Sequence, residues 1–387
     1  MRVVAAVRLC SAGLLAVALS CSGSGDPSGP PEPPPPVTTG TLRAIVLNPG
    51  QGTDADGYLL TLAGTGTEAV GTADTVIYNN LPAGPYTLTL SGLSVNCRST
   101  ASLARTPTVV AGQTVTVSFS VDCFIPFSNQ ILYVRLATGT VQFYTLSAGG
   151  AGIPVGTATS DYIDFPRASP DGMHLAYVRG NSTTRISVMD PDGKNSRDLS
   201  TTCGTEPAWR PDGQAVAYSC AEANASDIYI VNADGTGAHN ITNSPGAHEE
   251  HPSWSPDGTK IVFEGNDAGG GLFIINADGS NRTQLTTVST DEYAEWSPVG
   301  QTIAFARWNG GTRQILTITA DGNTVTEVSP SFANIDQTPT WSQDGSQIAF
   351  VRYLGSSYDL YQVAAGGGTP TRRTNGLIVQ NPGWKRP

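Results

Sequence analysis

Histidine is nearly missing from this chain, with four in 387 residues. A metal centre built from several imidazoles is therefore not expected. Lysine and arginine are also thin, 21 against 32 acidic residues, giving a formal net charge of −11. No basic stripe stands out, which excludes nucleic acid as a partner, because phosphate binding needs one. A basic peptide or a cation suits the charge better, although acidity is first of all a solubility property. No sustained helical periodicity appears after residue 20, and no G-x-S-x-G elbow offers a hydrolase nucleophile.

Short apolar stretches set among 44 Gly and 27 Pro, with Ser and Thr throughout, favour an all-β fold. The length allows two domains with substantial cores. The first 20 residues read as a secretory signal peptide. Arg2 and Arg8 precede an apolar run, Leu9 to Leu19, too short and too early for a membrane span. Its end, Ala18-Leu19-Ser20-Cys21, resembles a bacterial lipobox with the Leu one place late. That resemblance implies a lipidated Cys21, and Ser22 after it implies the outer membrane. Ordinary signal cleavage nearby is the competing reading. "SGSGDPSGPPEPPPPVTTG" makes residues 21–40 an extended tether, so acyl chains alone would hold the protein to the membrane.

Four cysteines remain, an even number in an oxidising compartment. Proximity and domain membership pair Cys97 with Cys123 and Cys203 with Cys220; four buried free thiols are the alternative. Residues 41–123 read as a β-sandwich of short strands, with Val115, Val117, Phe119 and Val121 alternating against Thr and Ser. "LPAGPYTLTL" from Leu81 resembles carboxypeptidase-regulatory-like and transthyretin-like sandwiches, which implies a spacer or adhesion unit. "DADG" at Asp54 reads as a plain Asp-Gly turn in preference to a calcium loop, since no carboxylates follow at ligand spacing.

Residues 124–387 are dominated by a repeat. "FPRASPDGMHLAYVRG", "EPAWRPDGQAVAYSCA", "HPSWSPDGTKIVFEGN", "YAEWSPVGQTIAFARW" and "TPTWSQDGSQIAFVRY" are followed by a cut-off "NPGWKRP". Its tryptophans, 209, 254, 296, 341 and 384, fall 42 to 45 residues apart, a spacing that marks four-stranded propeller blades. "PxW" reads as an inner strand, "SPDG" as the turn, and the Trp as filler between blades. The first copy carries Ala168 in place of Trp, and the fourth carries Val299 in place of Asp. "ILYVRL" at Ile131 and "VQFYTLSAGG" at Val141 lack a first strand, while "NPGWKRP" lacks everything after one. Joined, they complete a sixth blade and close the ring. "PxWSPDGxxIxF" resembles the WD40-like PD40 repeat of the TolB propeller family, shared with several peptidase propellers. The periplasmic member of that family binds partner proteins at its propeller, behind an α/β domain that this chain replaces with a tether and a sandwich. A Tol–Pal role is therefore not carried over.

Aligning the repeats puts Asp164, Thr205, Glu250, Glu292, Gln337 and Gln380 two places before the Pro position, one per blade. They are expected to ring one channel mouth, flanked by Tyr162, Glu206, His251, Tyr293 and Asp336. Such a ring attracts a cation or a lysine- or arginine-bearing peptide, or else caps turns and faces water. "HEEH" at His248 is one residue short of a zinc motif and is expected in a loop between blades, so no metal is assigned. The expectation is a non-enzymatic envelope scaffold without a cofactor, binding a protein or peptide partner. A carbohydrate-binding protein or a hydrolase- or lyase-type enzyme using the channel is the alternative.

Overall fold

The computed structural model describes residues 36–99, 101–146, 152–222, 224–330 and 334–384. The stretch expected to be a signal peptide, Cys21 and most of the expected tether lie outside them. The chain is all-β and divides into two compact units, residues 1–125 and 126–387.

In the first unit, Thr39–Leu47 lies between Thr114–Ser120 and Thr75–Pro82 in one sheet. A second sheet orders Gly66–Val70, Tyr58–Leu62, Leu88–Ser91 and Ala104–Arg105. Period-two alternation turns Leu42, Ala44 and Val46 of the first sheet and Leu60, Leu62, Leu88 and Leu90 of the second into one shared core. Cys97 is bonded to Cys123, joining the two short strands that carry them. Asp54 does more than mark a turn. It is buried and accepts both Ser94 N–H (2.8 Å) and Ser94 Oγ–H (2.6 Å), which clamps two loops together.

The second unit is a six-bladed propeller of four-stranded antiparallel sheets. Innermost strands of blades 1 to 5 are Ile163–Ala168, Thr205–Trp209, Glu249–Trp254, Asp291–Trp296 and Ile335–Trp341. Blade 6 takes its innermost strand, Val379–Trp384, from the far end of the chain. Its other three are Ile131–Ala137, Thr140–Leu146 and Gly152–Thr159. Ile131 pairs with Trp384 and Leu132 with Gly383, so the ring closes as the truncated repeat implies.

The repeated residues have visible tasks. In the "SPDG" turns, Asp257 Oδ1 accepts Ser255 Oγ–H at 2.6 Å and Thr259 N–H at 3.0 Å, while Ser255 Oγ accepts Lys260 N–H at 2.9 Å. Asp344 is held by Ser342 and Ser346 in the same way, and these bonds draw its carboxyl down to about 2. Each Trp packs against the preceding blade: Trp254 lies with Ala217 and Ile228, and Trp341 with Ala306 and Ile315. Burying such a ring is worth roughly 2–3 kcal/mol. The indole N–H also reaches back to the previous inner strand, Trp209 to Arg167 O (3.0 Å), Trp254 to Ala208 O (3.1 Å) and Trp341 to Glu295 O (3.0 Å). Where Ala168 replaces Trp, the cluster between blades 6 and 1 contains Phe127, an aromatic ring from the segment that enters the propeller.

Candidate functional site at the channel

Every inner strand carries the same irregularity. The residue just before the Pro position has a left-handed backbone in all six blades: Phe165 (φ 50°), Glu206 (57°), His251 (54°), Tyr293 (57°), Thr338 (51°) and Asn381 (44°). None is glycine, and aromatic and β-branched side chains resist this region. The pairing register with the second strand shifts across the same spot, as between Glu250 and Ser253 or Glu292 and Glu295. These are β-bulges, which interrupt alternation and re-aim one side chain.

That re-aiming builds the site. Phe165, Glu206, His251, Tyr293 and Thr338 line a central cavity of about 60 Å³, above the Pro-x-Trp segments. Such a volume holds a few waters or the tip of one side chain. The column expected to form the ring lies one place earlier in the strand and does not line this cavity.

His251 is the centre of charge. Its Nδ1 is 2.6 Å from Glu264 Oε1, and its Nε2 is 3.0 Å from Glu206 Oε1. Glu206 Oε2 accepts the backbone N–H of His251 (2.7 Å) and Ser219 Oγ–H (2.8 Å), and Glu264 Oε2 accepts the N–H of Tyr293 (2.9 Å). The bulged N–H groups of blades 3 and 4 therefore end on carboxylates. Burial by itself would lower the His251 pKa, but Glu206 and Glu264 overcome it and lift the group to about 9. Burial pushes the Glu206 carboxyl up, whereas for Glu264 the imidazolium and its hydrogen bonds outweigh burial and hold it down. Tyr293 meets the His251 ring edge-on at 4.6 Å between centroids.

The other expected residues are distributed around this core. Asp164 is buried, accepts Tyr162 Oη–H at 3.1 Å and Phe165 N–H at 2.8 Å, and has its pKa raised by burial. Glu292 pairs with Arg313 (2.7 Å), which also donates to Gln337 Oε1 (3.2 Å). Thr205 donates to Ser219 O at 3.4 Å, and Gln380 pairs with Val134 in the closing blade. Glu250 accepts Ser226 Oγ–H at 3.4 Å, and its carboxylate, Glu206 and His251 come within 4.8 Å of one another. Asp336 needs correcting. It is fully buried and held by Arg352 at 2.6 and 2.7 Å, on the strand face opposite to its neighbour Gln337. "HEEH" needs correcting too, because Glu249–His251 belong to the innermost strand and not to a loop.

Four residues were not anticipated: Glu264, Arg313, Arg167 and Glu295. Glu264 and Arg313 come from second and third strands, whose repeats look purely structural. Arg167 and Glu295 occupy the variable position inside "PxW". Arg167 Nη1 donates to Pro166 O (3.1 Å) and Pro382 O (3.0 Å); burial lowers its pKa, against the opposing pull of Glu295 and Asp164. Asp164, Glu206, Glu250, Glu264, Glu292 and Glu295 thus face His251, Arg167 and Arg313, an acidic excess of three charges (6 − 3) when all are ionised. A divalent ion using His251 would first have to displace a proton shared with two carboxylates. An ammonium or guanidinium meets no such requirement.

The fold is that of a six-bladed β-propeller whose central cavity is lined by Glu206 and Glu295 together with Arg167 and His251. More particularly, it contains a TolB-like propeller region: residues 202–386 match the family model described as TolB beta propeller domain. A protein TolB homolog from Chlorobium luteolum is 30% identical over 161 residues, covering 41% of this chain and 36% of that protein. An uncharacterized peptidase, YuxL, from Bacillus subtilis is 32% identical over 109 residues, covering 25% and 16%. The similarity to the TolB homologs of Chlorobium luteolum and Chlorobium chlorochromatii thus spans about a third of their length, 36% and 31%. TolB from Acinetobacter baumannii superposes with a TM-score of 0.57 at 20% identity, over 68% of either chain. A putative TolB from Agrobacterium tumefaciens gives 0.54 at 22%, over 67% of this chain and 92% of its own. These two likenesses concern the fold.

Proposed function

We propose that this protein is a non-enzymatic, lipid-anchored scaffold of the cell envelope whose propeller axis receives a lysine or arginine side chain from a protein partner. The observation that carries this reading is the set of six carboxylates against three cations in and beside a cavity of about 60 Å³, where Glu206 and Glu295 line the wall with Arg167 and His251 and the other four acids stand behind or next to it. That space is too small for a folded ligand and suited to one cationic tip. Glu250, which lies beside the cavity within 4.8 Å of Glu206 and His251, is the first contact, and Glu206 and Glu264 hold His251 behind it. Converging carboxylates of this kind steer a cationic segment and fix its register. The signal-like leader and the lipobox-like stretch ending at Cys21 support a lipid anchor at the outer membrane, with the N-terminal unit as spacer.

The test is photo-crosslinking from the channel rim in intact cells, together with titration of arginine-bearing peptides against the purified chain. Glu250→Lys together with Glu292→Lys should reduce peptide affinity at least tenfold while the melting temperature of the Glu250→Lys single variant stays within about 2 °C of wild type. Unchanged affinity in the double variant ends the reading, as would recovery of a glycan in place of a protein.

A further inference from the structure

Five of the six blades keep one or both members of a second charge pattern, away from the axis; blade 2, with Gly204 at the acid position, does not. The third residue before the Pro position faces one residue of the second strand. In blades 4 and 5 this pair is an acid and an arginine, Asp291 with Arg307 (2.5 and 2.7 Å) and Asp336 with Arg352. Blade 1 keeps the arginine, Arg179, opposite Ile163, and Asp198 supplies the carboxylate instead, at 3.3 Å. Blade 3 keeps the acid, Glu249, and Arg282 supplies the cation at 2.6 Å. Blade 6 keeps the arginine, Arg135, but its partner position is Val379. No carboxylate among the described residues replaces the lost acid. Arg135 instead lies over the ring of Tyr144, 5.5 Å from its centroid, and Tyr144 stacks on buried Tyr133.

Arg135 and the two tyrosines form one wall of a groove of about 490 Å³ between blades 5 and 6, and Arg372 and Arg373 form the other. Arg372 is paired with Asp359 at 2.5 Å, and Arg373 donates to Gln362 Oε1 at 2.8 Å. None of the described residues that line the groove is acidic. In a chain of net charge −11, this is a cationic site of small-molecule size with an aromatic wall. We propose that it binds a carboxylate-bearing ligand. The guanidinium fork of Arg135, which faces Val379 where other blades have an acid, takes the ligand carboxylate as its partner. Such a carboxylate can come from a free dicarboxylate or from a glutamate side chain of a peptide.

Calorimetric titration of the full chain with glutarate, and separately with a short glutamate-rich peptide and its glutamine counterpart, distinguishes the sources. At least one carboxylate probe should bind, more weakly as salt rises, and the glutamine peptide should not. Arg135→Gln should lower affinity about tenfold. Arg135→Lys, which keeps the charge but loses the fork, should fall between wild type and that variant. Arg179→Gln in blade 1 should bind as wild type. If Arg135→Gln fails to fold, Arg135→Lys decides, and it must bind more weakly. Binding of neither probe at millimolar concentration, or equal affinity in wild type and these variants, overturns the proposal.

Discussion

His251 shows how one residue couples stability to charge. Its pKa is raised in the folded propeller from 6.5 to about 9. A raised cationic group contributes stability that is fully present below its unfolded pKa and is lost as pH climbs through the folded value. The melting temperature should therefore fall between pH 6.5 and 9, with a contribution on the order of 3 kcal/mol at stake. His251→Gln should abolish that dependence. It should also cost about 3 kcal/mol at pH 7, because Glu206 and Glu264 would be left buried without their cation. Denaturant titrations of both proteins at pH 6, 7.5 and 9.5 measure it, and parallel pH profiles would refute the assignment. Arginine-peptide binding should tighten over the same range, since losing the imidazolium makes the axis more acidic.

At the level of the strand, the bulge is the decisive device. Thr338 combines a β-branched side chain, φ of 51° and a buried hydroxyl with no hydrogen-bond partner among the described residues. Thr338→Asn, a residue that tolerates this region, should stabilise the propeller by about 1 kcal/mol, whereas Thr338→Ala should change little. Trp254 allows the complementary dissection. Trp254→Phe keeps most of the ring and loses the bond to Ala208 O, at a cost of about 1 kcal/mol. Trp254→Ala should cost 3–5 kcal/mol. Chemical denaturation checks each. These elements also mark how far the sequence can be read. Blade number, the Trp packing, the turns and the closing partnership follow from the spacing of "PxW" and "SPDG", because hydrophobic period and turn chemistry are local properties. The channel column was missed by one position, because period-two reasoning assumes an unbroken strand and a left-handed residue shifts the phase. Glu206, His251 and Tyr293 were found as flanking residues, yet they are the wall itself. Glu264 carries no local signal at all, since its role depends on the neighbouring blade's backbone.

For the whole propeller, integrity rests on the shared blade. Removing residues 379–387 strips the partner of Ile131–Ala137 and uncovers the cluster of Ile131, Tyr133, Val351 and Leu360. The truncated chain should lose cooperative thermal unfolding and bind a hydrophobic dye, as calorimetry and fluorescence will show. A sharp transition at the wild-type temperature would mean that the other five blades stand alone.

The bond between Asn129 and Trp384 joins positions 255 residues apart. A chain emerging amino-terminus first must keep the β-hairpin of residues 131–146 waiting, unpartnered along one edge, until Val379–Trp384 have been delivered. Ring completion therefore carries a large loop-closure entropy, and refolding should be slow in comparison with proteins of similar size dominated by local pairings. During that interval the unfinished edge is the surface a chaperone would have to shield.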